Sequence, residues 1–413
     1  MRALFLTQWF DPEPGALRGL PLAKWMRARG HEVEVVTGFP NYPGGKVYPG
    51  YRIAMSQRET MSGVPVLRVP LYPSHDATIA GRFLNYGSFA LSASTIGLAL
   101  AERADVGFVY HPPPTVGLPA MAFKALRGVP FVYHIADMWP ESVVESGALR
   151  PGLMKRTVES ALHAWCNLVY RRAAAITVLS EGFKDLLIDR GVAAEKIHVI
   201  YNWTDEEVFT PGPRDEALAT ELGMAGRFNI VYAGNMGIFQ GLETLIRAAV
   251  RVKHVPDIQI VMVGTGQSED SLKALAAELG ATNVRFVGRR QFWDMPKIND
   301  LADVLLVQLR DFPFFAATIP SKTQVSLASG RPVLMSVRGN AASIIQQAGA
   351  GVTVNPDDDE ALAAGMLALY GTPRDELDAM GTRGRRFYLD RMSLDVGGRQ
   401  TEAVLEEVLE QRR

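Results

Sequence analysis

Four titratable residues, His111, His134, Asp137 and Glu141, lie at or just beyond the ends of two apolar runs, Val106–Tyr110 and Phe131–Ile135. If the runs are neighbouring parallel strands, all four groups converge on one sheet edge, where ligand-binding loops gather. Asp137 precedes Trp139-Pro140, and a carboxylate so placed can accept a hydroxyl or stabilise positive charge developing in a reaction. The two histidines fit a structural role equally well, since a ring at a strand end often bonds a backbone carbonyl. Glu141 also fits the first turn of a helix that starts at Pro140.

A second group of residues suits an anion. The stretch Ile230 to Glu243 reads as strand, glycine-containing loop and helix start, and free amides at such a start can hold a diphosphate. Gly234, Gly237 and Gly241 permit close backbone approach, without the spacing of a G-x-G-x-x-G dinucleotide motif. Gly264 and Gly266 follow another strand in the same manner. The segment Ile319-Pro320-Ser321-Lys322-Thr323 places Lys322 in a helix first turn, where the macrodipole disfavours a cation by some tenths of a kcal/mol. A bound diphosphate reverses that penalty, so Lys322 is the expected phosphate contact.

Metal chemistry finds little support. Asp357-Asp358-Asp359 contains an Asp-x-Asp pattern, but it follows Asn355-Pro356 and precedes Glu360-Ala361-Leu362, which marks the acids as a helix N-terminus. With Cys166 as the only cysteine, an intrachain disulfide and a thiolate metal cluster are both excluded, and a reducing compartment is expected.

The elements that must position these groups recur as βα units. Runs at Ala3–Thr7, Glu32–Thr37, Val64–Val69, Val106–Tyr110, Phe131–Ile135, Ala175–Leu179 and Ile197–Ile200 predict one mainly parallel sheet. After a polar stretch from Asn202 to Phe228, which includes Thr210-Pro211-Gly212-Pro213, a second series runs Ile230–Ala233, Ile258–Val263, Val284–Val287, Val304–Val307, Pro332–Met335 and Gly351–Val354. A chain of 413 residues, 47% hydrophobic and 21% charged, suits two such α/β domains. The expected division is 1–205, 206–385, and a C-terminal helix, 386–413, that returns to the first domain. The N-terminus reaches Asp11-Pro12 too early for a signal peptide, which makes the cytosol the default. Phe83 to Ala101, interrupted by Asn85, Gly87 and serines, reads as an amphipathic surface helix able to touch a membrane rather than span it. Residues 1–200 carry 21 Lys and Arg against 16 Asp and Glu, a balance of +5, and the remainder carries −6, from 22 against 28.

Longer motifs then accumulate: Phe10-Asp11-Pro12-Glu13-Pro14-Gly15 with Arg18, Gly38-Phe39-Pro40-Asn41-Tyr42-Pro43, Asp137-Met138-Trp139-Pro140-Glu141-Ser142, Gln240-Gly241-Leu242-Glu243, and Ile319-Pro320-Ser321-Lys322 with Ala328-Ser329-Gly330-Arg331-Pro332. Over nearly the whole chain this set resembles family 4 of the retaining glycosyltransferases, which have the GT-B fold. The likeness is to bacterial surface-polysaccharide enzymes, in the branch of N-acetyl-L-fucosamine and colanic-acid fucosyl transferases. The resemblance implies two Rossmann-like domains facing across a cleft. The second would bind a nucleotide-sugar, UDP-linked, and the first a lipid-diphosphate-linked saccharide at the inner face of the cytoplasmic membrane. No cofactor or metal would be needed. On this model Gly15, Ala16, Gly234, Asn235, Gln240, Gly241, Glu243, Gly264, Arg289, Pro320, Ser321, Lys322 and Thr323 surround the donor, Arg18, His134 and Glu141 serve the acceptor, and Asp137, His111 and Lys322 serve catalysis. The chain departs from many members at Asn235 and Gln240, where they place Arg and Lys, and at Ala317 and Val325, where they carry a pair of Glu. A sugar-binding scaffold or a GT-B epimerase would share the fold.

Overall fold

The computed structural model describes residues 1–14, 18–74, 79–141 and 153–412. Its contacts fall into two compact units, Met1–Tyr201 with Gly397–Arg413, and Asn202–Val396.

The first unit is built on an eight-stranded sheet of β1 (Arg2–Thr7), β2 (Glu32–Gly38), β3 (Gln57–Met61), β4 (Val64–Val69), β5 (Val106–His111), β6 (Phe131–Ile135), β7 (Ala175–Val178) and β8 (Ile197–Val199), in the order β3-β4-β2-β1-β5-β6-β7-β8. Every pairing is parallel except β3 with β4. β5 and β6 are Val-, Ile- and Phe-rich because helices cover both faces of a parallel sheet, leaving no side for polar residues. β3 was not expected, because Gln-Arg-Glu-Thr-Met has no apolar run. The turn makes it: Ser62 and Gly63 both have positive φ, 49° and 84°, which is the geometry of a tight two-residue hairpin. The order reverses between β1 and β5, so the loops after these strands open the crevice in which α/β sheets bind ligands.

The apolar helix expected at 83–101 spans Ile79–Leu100, with a π-helical turn over Ala93–Gly97. By length and composition Gly81–Leu100 is long and apolar enough to cross a membrane. Its inner face, Phe89, Ala93 and Gly97, is buried in the unit, and a Cβ on Gly97 would meet Val36 at 3.0 Å. Phe83, Leu84 and Leu91 remain exposed.

The second unit holds β9 (Phe228–Ala233), β10 (Ile258–Val263), β11 (Val284–Gly288), β12 (Val304–Gln308), β13 (Val333–Ser336) and β14 (Gly351–Thr353), ordered β11-β10-β9-β12-β13-β14 and parallel throughout. This is the Rossmann order, with its switch point between β9 and β12. The helix Leu242–Val252 buries Leu245, Ile246 and Ala249 against Ile230, Tyr232 and Ile260 on one face of the sheet, while Val231, Val261 and Leu305 pack on Leu222 and Leu301 on the other.

The division falls at 201/202 rather than 205/206, and helix Arg374–Arg391 belongs wholly to the second unit. Tyr388 explains both shifts. Its buried hydroxyl accepts from the Thr204 amide at 3.1 Å and donates to Glu206 at 2.7 Å, binding the linker stretch to this helix. From Gly397 onward the last helix, Leu394–Glu410, belongs to the first unit. There Glu402 accepts from Arg29 at 2.8 Å and bonds the His31 ring at 2.6 Å. Burial opposes the charge on Glu402, but the hydrogen bonds from Arg29 and His31 outweigh it and hold the carboxyl below its usual range. A carboxyl depressed on folding contributes stability above its unfolded pKa, and that contribution is lost as pH falls through the folded value. Glu402→Ala should therefore lower unfolding free energy by about 1–2 kcal/mol at pH 7, with half-exposed Arg29 contributing the smaller share. Urea titrations of both proteins should show the difference shrinking below about pH 4.

Candidate active site

The carboxyl ends of β9, β10 and β11 and the start of helix Ser321–Ala328 enclose a cavity of about 750 Å³ within the second unit, lined by Gly234, Gly264, Arg289, Arg290, Ser321 and Lys322 among others. Two glycines make it possible. A Cβ on Gly264 would stand 2.0 Å from the Gly234 carbonyl oxygen, and one on Gly234 would stand 2.4 Å from Lys322 Cε. Both residues have positive φ, 132° and 146°. The lysine stem therefore lies directly over bare backbone, in space that any other residue at 234 would fill.

Lys322 Nζ sits 4.7 Å from the centre of the Tyr232 ring, a cation–π contact, and Tyr232 is fixed by donating its hydroxyl to Asn235 O at 2.6 Å. Among the described residues no carboxylate pairs with Lys322. Part of its surface opens into the cavity, yet surrounding protein desolvates the ammonium and lowers its pKa to about 8. The adjacent Thr323 is fully buried, and its hydroxyl has no hydrogen-bond partner among the described residues. A cation at a helix start, over bare backbone and without a carboxylate partner among the described residues, describes an anion site.

Other expected donor residues are placed differently. Gln240 accepts from the Gly237 amide at 3.0 Å and closes the loop on itself. Glu243 is paired with Arg310 at 2.9 Å, and Arg310 also donates to the Ile238 carbonyl at 2.7 Å. This fastens the loop 238–241 to the segment after β12, so the structure gives Glu243 a partner within the protein. Asn235 is exposed, and Arg289 is exposed at the cavity wall. Gly15 and Ala16 lie outside the described residues. Of the three consecutive aspartates, Asp358 caps its helix through the Ala361 amide at 2.8 Å, Asp357 accepts from the Asp311 amide at 2.7 Å, and Asp359 is paired with Arg251.

In the first unit, β5 and β6 are parallel neighbours with Tyr110 opposite His134 and His111 opposite Ile135. Asp137 is exposed beyond β6, while neighbouring protein desolvates its carboxyl and pushes it above the usual range. His111 is buried, its pKa is lowered to about 3 by desolvation, and its Nδ1 has no hydrogen-bond partner among the described residues. The ring is thus neutral and stands edge-on to Trp139 at 6.3 Å. The three acceptor assignments require correction. Arg18 is buried and donates to the carbonyls of Ile200 and Tyr201 at 2.7 and 2.9 Å. His134 is fully buried, bonded to Thr177 Oγ1 at 2.8 Å and stacked on Tyr110. Glu141 is ion-paired with Arg190. Each is engaged within the unit, while His134 Nε2 and Glu141 Oε2 are left without a hydrogen-bond partner among the described residues.

Sequence reasoning missed Arg290, Phe209, Phe292 and Trp293, which also line the cavity. Their signal was position: Arg290 to Trp293 follow the carboxyl end of β11, beside the named Arg289.

Residues 18–203 match the family model described as a glycosyl transferase 4-like domain, and residues 227–372 match the one described as glycosyl transferases group 1. The chain belongs to the glycosyltransferases. It is similar to the putative colanic acid biosynthesis glycosyl transferase WcaI of Escherichia coli (strain K12), at 28% identity over 361 residues, 86% of this chain and 88% of that one. It is also similar to the probable glycosyltransferase WbjE of Pseudomonas aeruginosa, at 27% identity over 69% of this chain and 74% of the relative. Among solved structures, Anabaena Alr3699/HepE in complex with UDP and glucose superposes with a TM-score of 0.70, covering 98% of the glycosyltransferase and 99% of the other chain at 18% identity.

If the Lys322 site is the anion site, Gly234→Ala must displace the ammonium. UDP affinity measured by calorimetry should fall about tenfold or more, the worth of one charge-assisted contact. The melting temperature should fall as well, because a φ of 146° strains any residue with a Cβ, so the loss of UDP affinity is to be read at a temperature where the variant remains folded.

Proposed function

We propose that the glycosyltransferase moves a sugar from a UDP-linked donor to a lipid-diphosphate-linked saccharide in bacterial surface-polysaccharide synthesis, with retention of anomeric configuration and without a metal. The observation that carries the donor half is the desolvated, carboxylate-free Lys322 ammonium at the start of a helix and over a glycine loop. UDP in the HepE complexes supports the nucleotide, and the names of WcaI and of WaaG, a glycosyltransferase involved in lipopolysaccharide biosynthesis, support the pathway class. The exposed Phe83, Leu84 and Leu91, which fall on one face of their helix, support peripheral contact with the cytoplasmic face of a membrane.

Chemically, the bond from the anomeric carbon to the β-phosphate oxygen breaks as negative charge gathers on the diphosphate. Lys322 and the helix-start amides stabilise that charge where it develops. The acceptor hydroxyl attacks from the same face and passes its proton to the departing phosphate oxygen. Asp137, whose carboxyl is pushed above its usual range by desolvation, orients a sugar hydroxyl. A protein ammonium supplies the countercharge that a divalent cation supplies elsewhere, so turnover should be unchanged by EDTA.

Two measurements test this reading. Calorimetric titration should show UDP binding that is stronger than GDP binding, and failure of both at millimolar concentration would remove the donor site. The pH dependence is specific to Lys322, which is charged below its pKa of about 8 and neutral above it. The UDP dissociation constant should be flat below pH 8 and rise about tenfold per pH unit above it, with proton uptake on binding. Lys322→Ala should weaken binding at pH 7 and abolish this slope. Asp137→Asn should reduce turnover with UDP affinity unchanged, and a normal rate in that variant would exclude Asp137 from the mechanism.

A further inference from the structure

Correcting Arg18, His134 and Glu141 leaves the first unit without a named contact for the molecule that receives the sugar. The loops after β1 and β2 and the helix Ile79–Ser92 supply one. Trp9 stacks on Tyr42 with ring centres 4.7 Å apart and an interplanar angle of 27°, and Tyr86 meets Trp9 edge-on at 6.4 Å. All three residues are half-buried. No hydrogen bond among the described residues engages the indole N–H of Trp9 or the hydroxyl of Tyr86. Asp137 is close enough for its charge to act on the Tyr86 hydroxyl.

The rings are held from beneath by an uncommon device. Each is the sequence neighbour of one member of a buried amide chain. Gln8 Nε2 donates to Asn85 Oδ1 at 2.6 Å, and Asn85 Nδ2 donates to Asn41 Oδ1 at 3.2 Å and to the Tyr72 carbonyl at 2.7 Å. These three amides are 1–2% exposed. Glu13, also buried, accepts from the amides of Phe10, Asn41 and Tyr42 and fixes the two loops to each other. Polar groups are thus buried under the patch while aromatic surface is left on top, the reverse of what stability alone would select. Rigid aromatic faces beside unengaged N–H, O–H and carboxylate groups suit a pyranose ring, which has an apolar C–H face and a hydroxyl-bearing edge.

We propose that the Trp9–Tyr42 stack, flanked by Tyr86, forms the platform for the acceptor sugar, a pyranoside whose C–H face lies on the ring surface that the stack leaves uncovered, with its hydroxyl edge free to reach Tyr86 and Asp137. The proposal rests on the glycosyltransferase reading and gives its acceptor a place and a chemistry. Gln8, Asn41 and Asn85 are positioning residues for the platform.

The test is ligand-observed saturation-transfer NMR on the full chain, in saturating UDP, with methyl pyranosides of glucose, galactose, N-acetylglucosamine and rhamnose as probes. At least one should show saturation concentrated on its ring C–H protons. Trp9→Ala should weaken that signal about three- to tenfold, the usual worth of ring stacking, with UDP affinity unchanged. Trp9→Phe, which keeps a ring, should retain most of it. Tyr86→Leu serves as a second variant should Trp9→Ala fail to fold. Asn85→Ala should lose the glycoside signal and keep UDP binding. The platform is overturned if wild-type protein binds UDP while no glycoside is saturated, or if Trp9→Ala and Tyr86→Leu leave the signal intact. Failure to bind UDP would instead strike the donor reading, and the glycoside result would stand apart from it.

Discussion

An ammonium group held against bare backbone, with no carboxylate among the described residues to neutralise it, sets the terms for the second unit. Lys322 can occupy that position only because residue 234 has no Cβ, and Gly234 can lie so close to the β10 loop only because residue 264 has none either. Desolvating a lysine without a partner costs free energy, as its lowered pKa records. Folded proteins seldom keep such a cost where it serves nothing, and perturbed titratable groups in cavities concentrate at functional sites. Tyr232 relieves part of the cost with its ring face. A diphosphate would relieve the rest.

The two units solve different problems with one architecture. Parallel strands gather their carboxyl-end loops on a single edge, and the reversal of strand order opens space between two of those loops. In the second unit that space is lined by glycine, helix-start amides and cations, which suits a highly charged ligand. In the first unit the same edge carries aromatic rings over a buried amide chain, with the Asp137 carboxylate nearby, which suits a neutral and hydroxylated one. Burial of the polar supports and exposure of the aromatic surface distinguish the two edges more sharply than net charge does.

The strand series was legible because parallel strands buried on both faces leave continuous Val, Ile and Phe runs. β3 escaped because an edge strand needs only one apolar side, and its hairpin was announced by Ser62-Gly63 rather than by hydrophobicity. Lys322 was legible because a cation in a helix first turn contradicts the helix dipole, and a local contradiction marks a site. Arg18, His134 and Glu141 were misread for a related reason. Sequence reveals that a polar residue is near a strand end, but not whether its polar atoms meet ligand or backbone. Arg18 spends its guanidinium on two carbonyls 182 and 183 residues away, which no local pattern encodes. Trp9, Tyr42 and Tyr86 were hidden by the opposite effect, since rings beside apolar strands look like core until the amides beside them are found inside.

The chain passes from the first unit to the second and then returns with Gly397–Arg413. On the ribosome the second unit is therefore synthesised whole before the first has its last helix, and an early-made sheet must wait with the surface beneath that helix uncovered. Domain-by-domain maturation, in which each module closes before the next emerges, is unavailable to this topology. Swapping halves between related chains would likewise have to carry the final helix along with the front half, so the inheritable module is a discontinuous one.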